Sequence, residues 1–277
     1  MSNRGFLIYA EGVDYFEQAY LCALSLKATD NKFPISVVTN EPVEQKHKDI
    51  FDHILDIPWY KQTNTKLKTE NRWKLYHVSP YEKTIVLDSD VLVLQNLDYF
   101  WGFVENYNLY YPTTVFTYRK EEITSDYYRK AFTANNLPNF YNCVHYFKKT
   151  DWTKQFFHWV ETITNNWELF YGQFCPHYYP EEPSMDVTTA IASKILDCDY
   201  EISNEKQHSP QIVHMKTHVQ NWRVPKTKWQ SKIGVYMTDD LQLKLGNHRQ
   251  DTIVHYTEKD FCTADKIEKY EKMLDVC

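Results

Sequence analysis

A chain of 277 residues with ordinary charged and apolar fractions has room for one large domain or two closely joined ones. Its net charge of −6 argues against a general nucleic-acid binder, and no apolar run approaches the ~20 residues of a membrane span. The six cysteines form no Cys-x-x-Cys pair and no signal peptide opens the chain, so a cytoplasmic protein with free thiols and no structural zinc is expected.

The first half alternates in period. Residues 6–10 read as a strand and 15–27 as a helix with one apolar face. A strand follows at 35–39, a helical stretch at 43–51, a short strand at 54–57 and a helix at 71–78 that must stop before Pro80. A strand at 84–87 completes a β-α-β-α-β order, which implies a mostly parallel sheet with right-handed crossovers. Residues 91–94 form another apolar run. Beyond a soft boundary near residue 115, strands are expected at 141–147, 211–215 and 252–256. Helices are expected at 152–165, 185–196 with Ser184 as N-cap, and 264–274 capped by Thr263. The segment 172–183, rich in aromatics and Pro, reads as a loop.

The most informative stretch is KTIVLDSDVLVL (83–94). Asp88 and Asp90 lie one residue apart between two apolar runs, at the carboxyl end of a strand where open α/β sheets bind ligands. Buried carboxylates need partners, and period-2 geometry turns both toward one face, so the pair asks for a hard divalent cation, Mg²⁺ or Mn²⁺. An Asp that merely caps a turn is the plainer alternative. Basic residues cluster at Lys66, Lys68, Arg72 and Lys74, and again at Lys216, Arg223, Lys226, Lys228 and Lys232. On an acidic chain such patches suit a phosphorylated small molecule, or else form a solvated face.

These residues resemble the GT-A-fold glycosyltransferases, and within them glycosyltransferase family 8, the glycogenin and galactosyltransferase-like group. The resemblance implies a Rossmann-like, mostly parallel central sheet flanked by helices in a single large domain. Residues 1–115 would form its nucleotide-sugar half and 116–277 its acceptor half with the metal-completing segment. The segment FLIYAEGVDYFEQAYLCALSL (6–26) matches the family's opening strand and helix, which places Ala10, Glu11 and Tyr15 at the donor nucleotide, Tyr15 stacking on uracil. The segment 71–101 matches its second signature, with Arg72 on the donor phosphates and Asp88, Ser89 and Asp90 as the metal motif. FYNCVHYF (140–147) puts Asn142 on the sugar, although no Gly follows it as in the family. SMDVTTAIA (184–192) supplies Asp186 beside the sugar or acceptor, with Val187 where the family has Gln.

The family's third metal ligand is a late His. His214, eight residues before Trp222, is preferred here, and His255 is the alternative. Imidazole beside two carboxylates favours Mn²⁺ over Mg²⁺. Lys216 is counted among the donor-binding residues. The implied activity is a metal-dependent, hexosyltransferase-like transfer from a nucleotide-diphosphate sugar, with UDP the expected nucleotide, to a carbohydrate or other hydroxyl acceptor. The segment around Tyr171–Tyr179 is expected to wall the acceptor. A nucleotidyltransferase is the nearest rival, against which the single Gly of the first loop counts. A non-catalytic carbohydrate-binding or scaffolding protein is the other, against which the intact Asp pair counts.

Overall fold

In the computed structural model, which describes residues 3–62, 68–123, 129–203, 210–215 and 229–276, the first half alternates as its pattern requires. It runs β1 (Arg4–Ala10), α1 (Val13–Ala28), β2 (Ile35–Thr39), α2 (Gln45–Lys48), β3 (His53–Asp56), a 3₁₀ helix (Thr69–Lys74), α3 (Leu75–Val78), β4 (Lys83–Asp88), β5 (Val91–Val93) and α4 (Asp98–Val104). Next come β6 (Leu109–Tyr110), α5 (Lys130–Ala134), β7 (Val144–Lys148), α6 (Asp151–Asn165), α7 (Trp167–Phe174), α8 (Met185–Leu196), α9 (Asp199–Ile202) and β8 (Ile212–His214). The chain ends with β9 (Val235–Met237), β10 (Leu243–Leu245), β11 (His248–Gln250), β12 (Ile253–His255) and α10 (Ala264–Leu274).

Among the described residues the main sheet has the order β3-β2-β1-β4-β7-β6. Its first four strands are parallel, and β7 runs antiparallel to β4. The central stretches of β1 (residues 6–10) and β4 (residues 85–87) are continuously apolar because both faces are covered. Phe6, Ile8 and Ile85 share one core layer with α1; Leu7 and Val86 share the other with Phe156 of α6 and Ile191 of α8. Gly5 is required by close packing: a Cβ there would run into the Tyr81 ring.

The structure corrects three expectations. The helix at 43–51 shrinks to the four residues of α2, since Pro42 and polar residues leave it no apolar face to bury. The helix at 71–78 begins as a 3₁₀ turn. Residues 167–174 are helical because α7 buries Tyr171, whose hydroxyl donates to the Ser184 carbonyl and accepts from the Ser184 amide, both at 3.0 Å. Tyr171 is therefore core rather than acceptor wall. The apolar run at 91–93 is β5, which lies outside the main sheet in another of order β5-β12-β8. Asp88-Ser89-Asp90 is thus the corner where one sheet passes into the next. The predicted caps differ in kind: Ser184 Oγ accepts from the Val187 amide, whereas Thr263 makes no side-chain cap bond. Among the described residues no helix is long and apolar enough to cross a membrane, and the five described cysteines are free thiols.

Candidate active site

The corner at residues 88–90 is filled from three directions. β4 delivers Asp88 and the turn delivers Asp90, with Ser89 buried between them. β12 pairs directly with β5, setting His255 opposite Val91, and the Tyr256 amide donates to the Asp90 carbonyl at 3.0 Å. One ligand atom from each of Asp88, Asp90 and His255 lies within 4.8 Å of the other two, the one such group among the described residues. His255 Nε2 stands 3.1 Å from Asp90 Oδ1. The preference for His214 is corrected here. β8 is one strand further out, His214 is in register with His255, and its ring packs edge-on against that of His255 at 4.6 Å.

The electrostatics are those of a site short of positive charge. Burial lifts the Asp88 carboxyl, with Arg72 opposing and Asp90 adding to the rise. Burial also acts on Asp90, but His255 outweighs it and holds that carboxyl low. Burial works against a charged His255, yet Asp90 keeps its ring well above the usual range. The buried Cys143 thiol beside the ring adds to that rise. Two carboxylates and an imidazole form a donor set that fits a divalent cation. Arg72, on the 3₁₀ helix, donates to Asp88 Oδ1.

At the carboxyl end of β1 a cavity of about 290 Å³ is lined by Glu11, Tyr15, Asn40, Tyr60, Lys68 and Lys259, among others. Ala10 ends β1 fully buried behind it. Glu11 is buried and accepts from the Tyr9 hydroxyl at 2.6 Å and Asn71 Nδ2 at 3.1 Å. It therefore ties the cavity wall to the helix that carries Arg72. Lys259 Nζ sits 4.3 Å from the centre of the Tyr15 ring. Lys66, Lys216, Arg223, Lys226 and Lys228 lie outside the described residues. Lys74 is directed away from the Asp pair, onto the Trp59 carbonyl at 2.7 Å.

Asn142 and Asp186 come together beside the corner. The Asp88 amide donates to the Cys143 carbonyl at 2.9 Å, which anchors the start of β7 there. Asp186 Oδ1 accepts from the Asn142 amide at 2.9 Å and from Asn142 Nδ2 at 3.1 Å. Its other oxygen accepts from Arg129. Burial raises the Asp186 carboxyl, but Arg129 and these bonds hold it below the usual range. Sequence reasoning missed Arg129. Its guanidinium also donates to the Phe140 carbonyl and to Asn139 Oδ1 at 2.7 Å, between the rings of Phe132 and Tyr141. The aromatics at 132, 140 and 141 are its only trace in the sequence. Lys259 was also missed, although four residues after His255 it lies within reach of the same site.

A mostly parallel central sheet flanked by helices, with a carboxylate pair at its carboxyl edge, has the GT-A-like architecture. The galactosyltransferase LgtC, solved with donor and acceptor sugar analogues, superposes over 98% of this chain and 95% of its own at a TM-score of 0.52 and 14% identity. The bifunctional glycosyltransferase WbbM matches over 98% of this chain and 52% of its own, at 0.50 and 11%. The glycosyltransferase GlyE of Streptococcus pneumoniae TIGR4 aligns over 76% of this chain at 0.45 and 15%, and the chain spans 47% of GlyE's length. No curated protein sequence matches. The family model described as "Mannosyltransferase putative" matches residues 3–166, and the chain belongs to that family.

Proposed function

We propose that the protein transfers a hexose from a nucleotide-diphosphate sugar to an acceptor hydroxyl, with Mn²⁺ held by Asp88, Asp90 and His255. The observation that carries this reading is the meeting of those three side chains with Arg72 at the carboxyl end of the sheet. Mannose, named in the family's description, is the first sugar to test, and UDP the first nucleotide.

Mn²⁺, when bound, supplies Lewis-acid stabilisation of a diphosphate leaving group. The chain's own groups do the rest. The base takes the cavity beside Tyr15, and Glu11 fixes its wall. Arg72 turns its fork from Asp88 toward phosphate oxygens, which a planar guanidinium meets two at a time. The orphaned Asn142 Oδ1 is buried beside Asp186 and accepts from a sugar hydroxyl. Asp186, paired with Arg129 and doubly bonded to Asn142, is a weak base and a poor nucleophile. Its role is to hold the sugar and stabilise positive charge at the anomeric carbon.

Thermal-shift screening with UDP, GDP, ADP and CMP, each with and without Mn²⁺, tests the reading. A shift that requires both UDP and Mn²⁺ supports it, and a shift with GDP instead reassigns the base. No Mn²⁺-dependent shift with any nucleotide would favour the scaffolding reading. Pyrophosphate release from a nucleoside triphosphate would favour the nucleotidyltransferase.

A further inference from the structure

Trp59, on the turn after β3, is 66% exposed, although an indole is among the largest apolar groups a fold can bury. Its φ is +48°, a left-handed conformation that costs a bulky L-residue about 1–2 kcal/mol. Two hydrogen bonds hold the turn in that shape. Lys74 Nζ donates to the Trp59 carbonyl at 2.7 Å, and Asn71 Nδ2 donates to the Lys61 carbonyl at 2.9 Å. Lys74 is itself buried, a rare place for an ammonium group, so an expensive side chain is committed to fixing this turn. The indole stacks on Trp73, with centroids 6.3 Å and planes 17° apart, and His77 packs edge-on to both rings. The result is a rigid aromatic ring held largely in solvent.

The surroundings narrow what it can hold. One indole is far smaller than the ~1,000 Å² that a stable protein interface needs. Its sequence neighbours Lys61 and Gln62 are exposed and polar, so an apolar ring is followed in the chain by ammonium and amide groups, while the Tyr60 hydroxyl is taken by Glu11. A sugar ring has the matching chemistry, with apolar C–H groups for the indole and hydroxyls for the rim; fixed aromatics bind at low entropic cost. Tyr60 and Gln62 line the cavity proposed for the donor, so Trp59 is the immediate chain neighbour of that lining. We infer that Trp59 is a glycan-binding platform for a neutral sugar of the acceptor, remote from the hydroxyl that reacts. This rests on the acceptor being a glycan, as proposed above.

The test probes the full chain on an array of immobilised neutral oligosaccharides as wild type, Trp59→Ala and Trp59→Phe. Mn²⁺-dependent UDP binding is measured in parallel. Losing one stacked ring lowers glycan binding about tenfold in Trp59→Ala, while Trp59→Phe retains most of it and both variants bind UDP as wild type does. Equal glycan binding by Trp59→Ala, or no glycan binding by the wild type, overturns the platform. Glycan binding that depends on Trp59 in a protein that binds no nucleotide supports the platform and contradicts the donor reading instead.

Discussion

Replacing Arg129 with Met removes every donor that holds Asp186 from one side while keeping an apolar stem between Phe132 and Tyr141. Asp186 retains its two bonds from Asn142, but its second oxygen and the Phe140 carbonyl lose their partner. Breaking one side of a buried ion pair costs about 3–5 kcal/mol. The Arg129 side chain is 9% exposed and that of Asp186 26%, so water recovers part of the loss and about 3 kcal/mol is expected. At about 2–4 °C per kcal/mol for a chain of this size, Tm falls by about 6–12 °C. Urea unfolding should show a lower midpoint with an unchanged slope. Adding Asp186→Asn restores about 1 kcal/mol or more, because a neutral amide needs no counter-charge. A loss under about 1 kcal/mol in Arg129→Met, or strict additivity in the double variant, would refute the pairing as the force that holds Asp186.

Two further outcomes follow from the core. His145 is buried, donates from Nδ1 to the Asn142 carbonyl at 3.0 Å, and is pushed down to about 4 chiefly by burial. Its folded pKa lies below the unfolded value of ~6.5, so its contribution is complete above pH ~6.5 and is lost as pH falls toward 4. Unfolding free energy should therefore drop by about 2–3 kcal/mol more in wild type than in His145→Asn between pH 7 and 4.5, and parallel pH curves would contradict this. Gly5→Ala drives a methyl into the Tyr81 ring, whose hydroxyl is fixed to Ser36 at 2.5 Å. A loss of at least about 1–3 kcal/mol in chemical denaturation is expected, and a neutral result would mean that the ring can move.

Much of the fold was legible because local pattern and burial agree in the first half. Apolar runs bounded by turn residues gave the parallel strands, and the carboxyl end of β4 gave the Asp pair. The choice between His214 and His255 was not legible, because the two strands carry the same tripeptide, Ile-Val-His. Only pairing order separates them: β12 lies against β5, and β8 one strand spacing beyond it. Arg129 escaped for a related reason. It is 57 residues from Asp186 in sequence, and nothing local marks an arginine that will be enclosed by aromatics. Lys74 reads as one of a basic cluster suited to phosphate or solvent, and nothing in the sequence points it to the Trp59 carbonyl it holds.

The central claim is that Asp88, Asp90 and His255 hold a metal together with a diphosphate. Titration of Mn²⁺ in the presence of UDP, followed by loss of the free-ion paramagnetic resonance signal, tests it most directly in wild type, Asp90→Asn, His255→Ala and His214→Ala. The account predicts tight Mn²⁺ uptake by wild type and His214→Ala, and at least about tenfold weaker uptake by the other two. Undiminished uptake by Asp90→Asn, or a loss in His214→Ala that His255→Ala does not share, would contradict it.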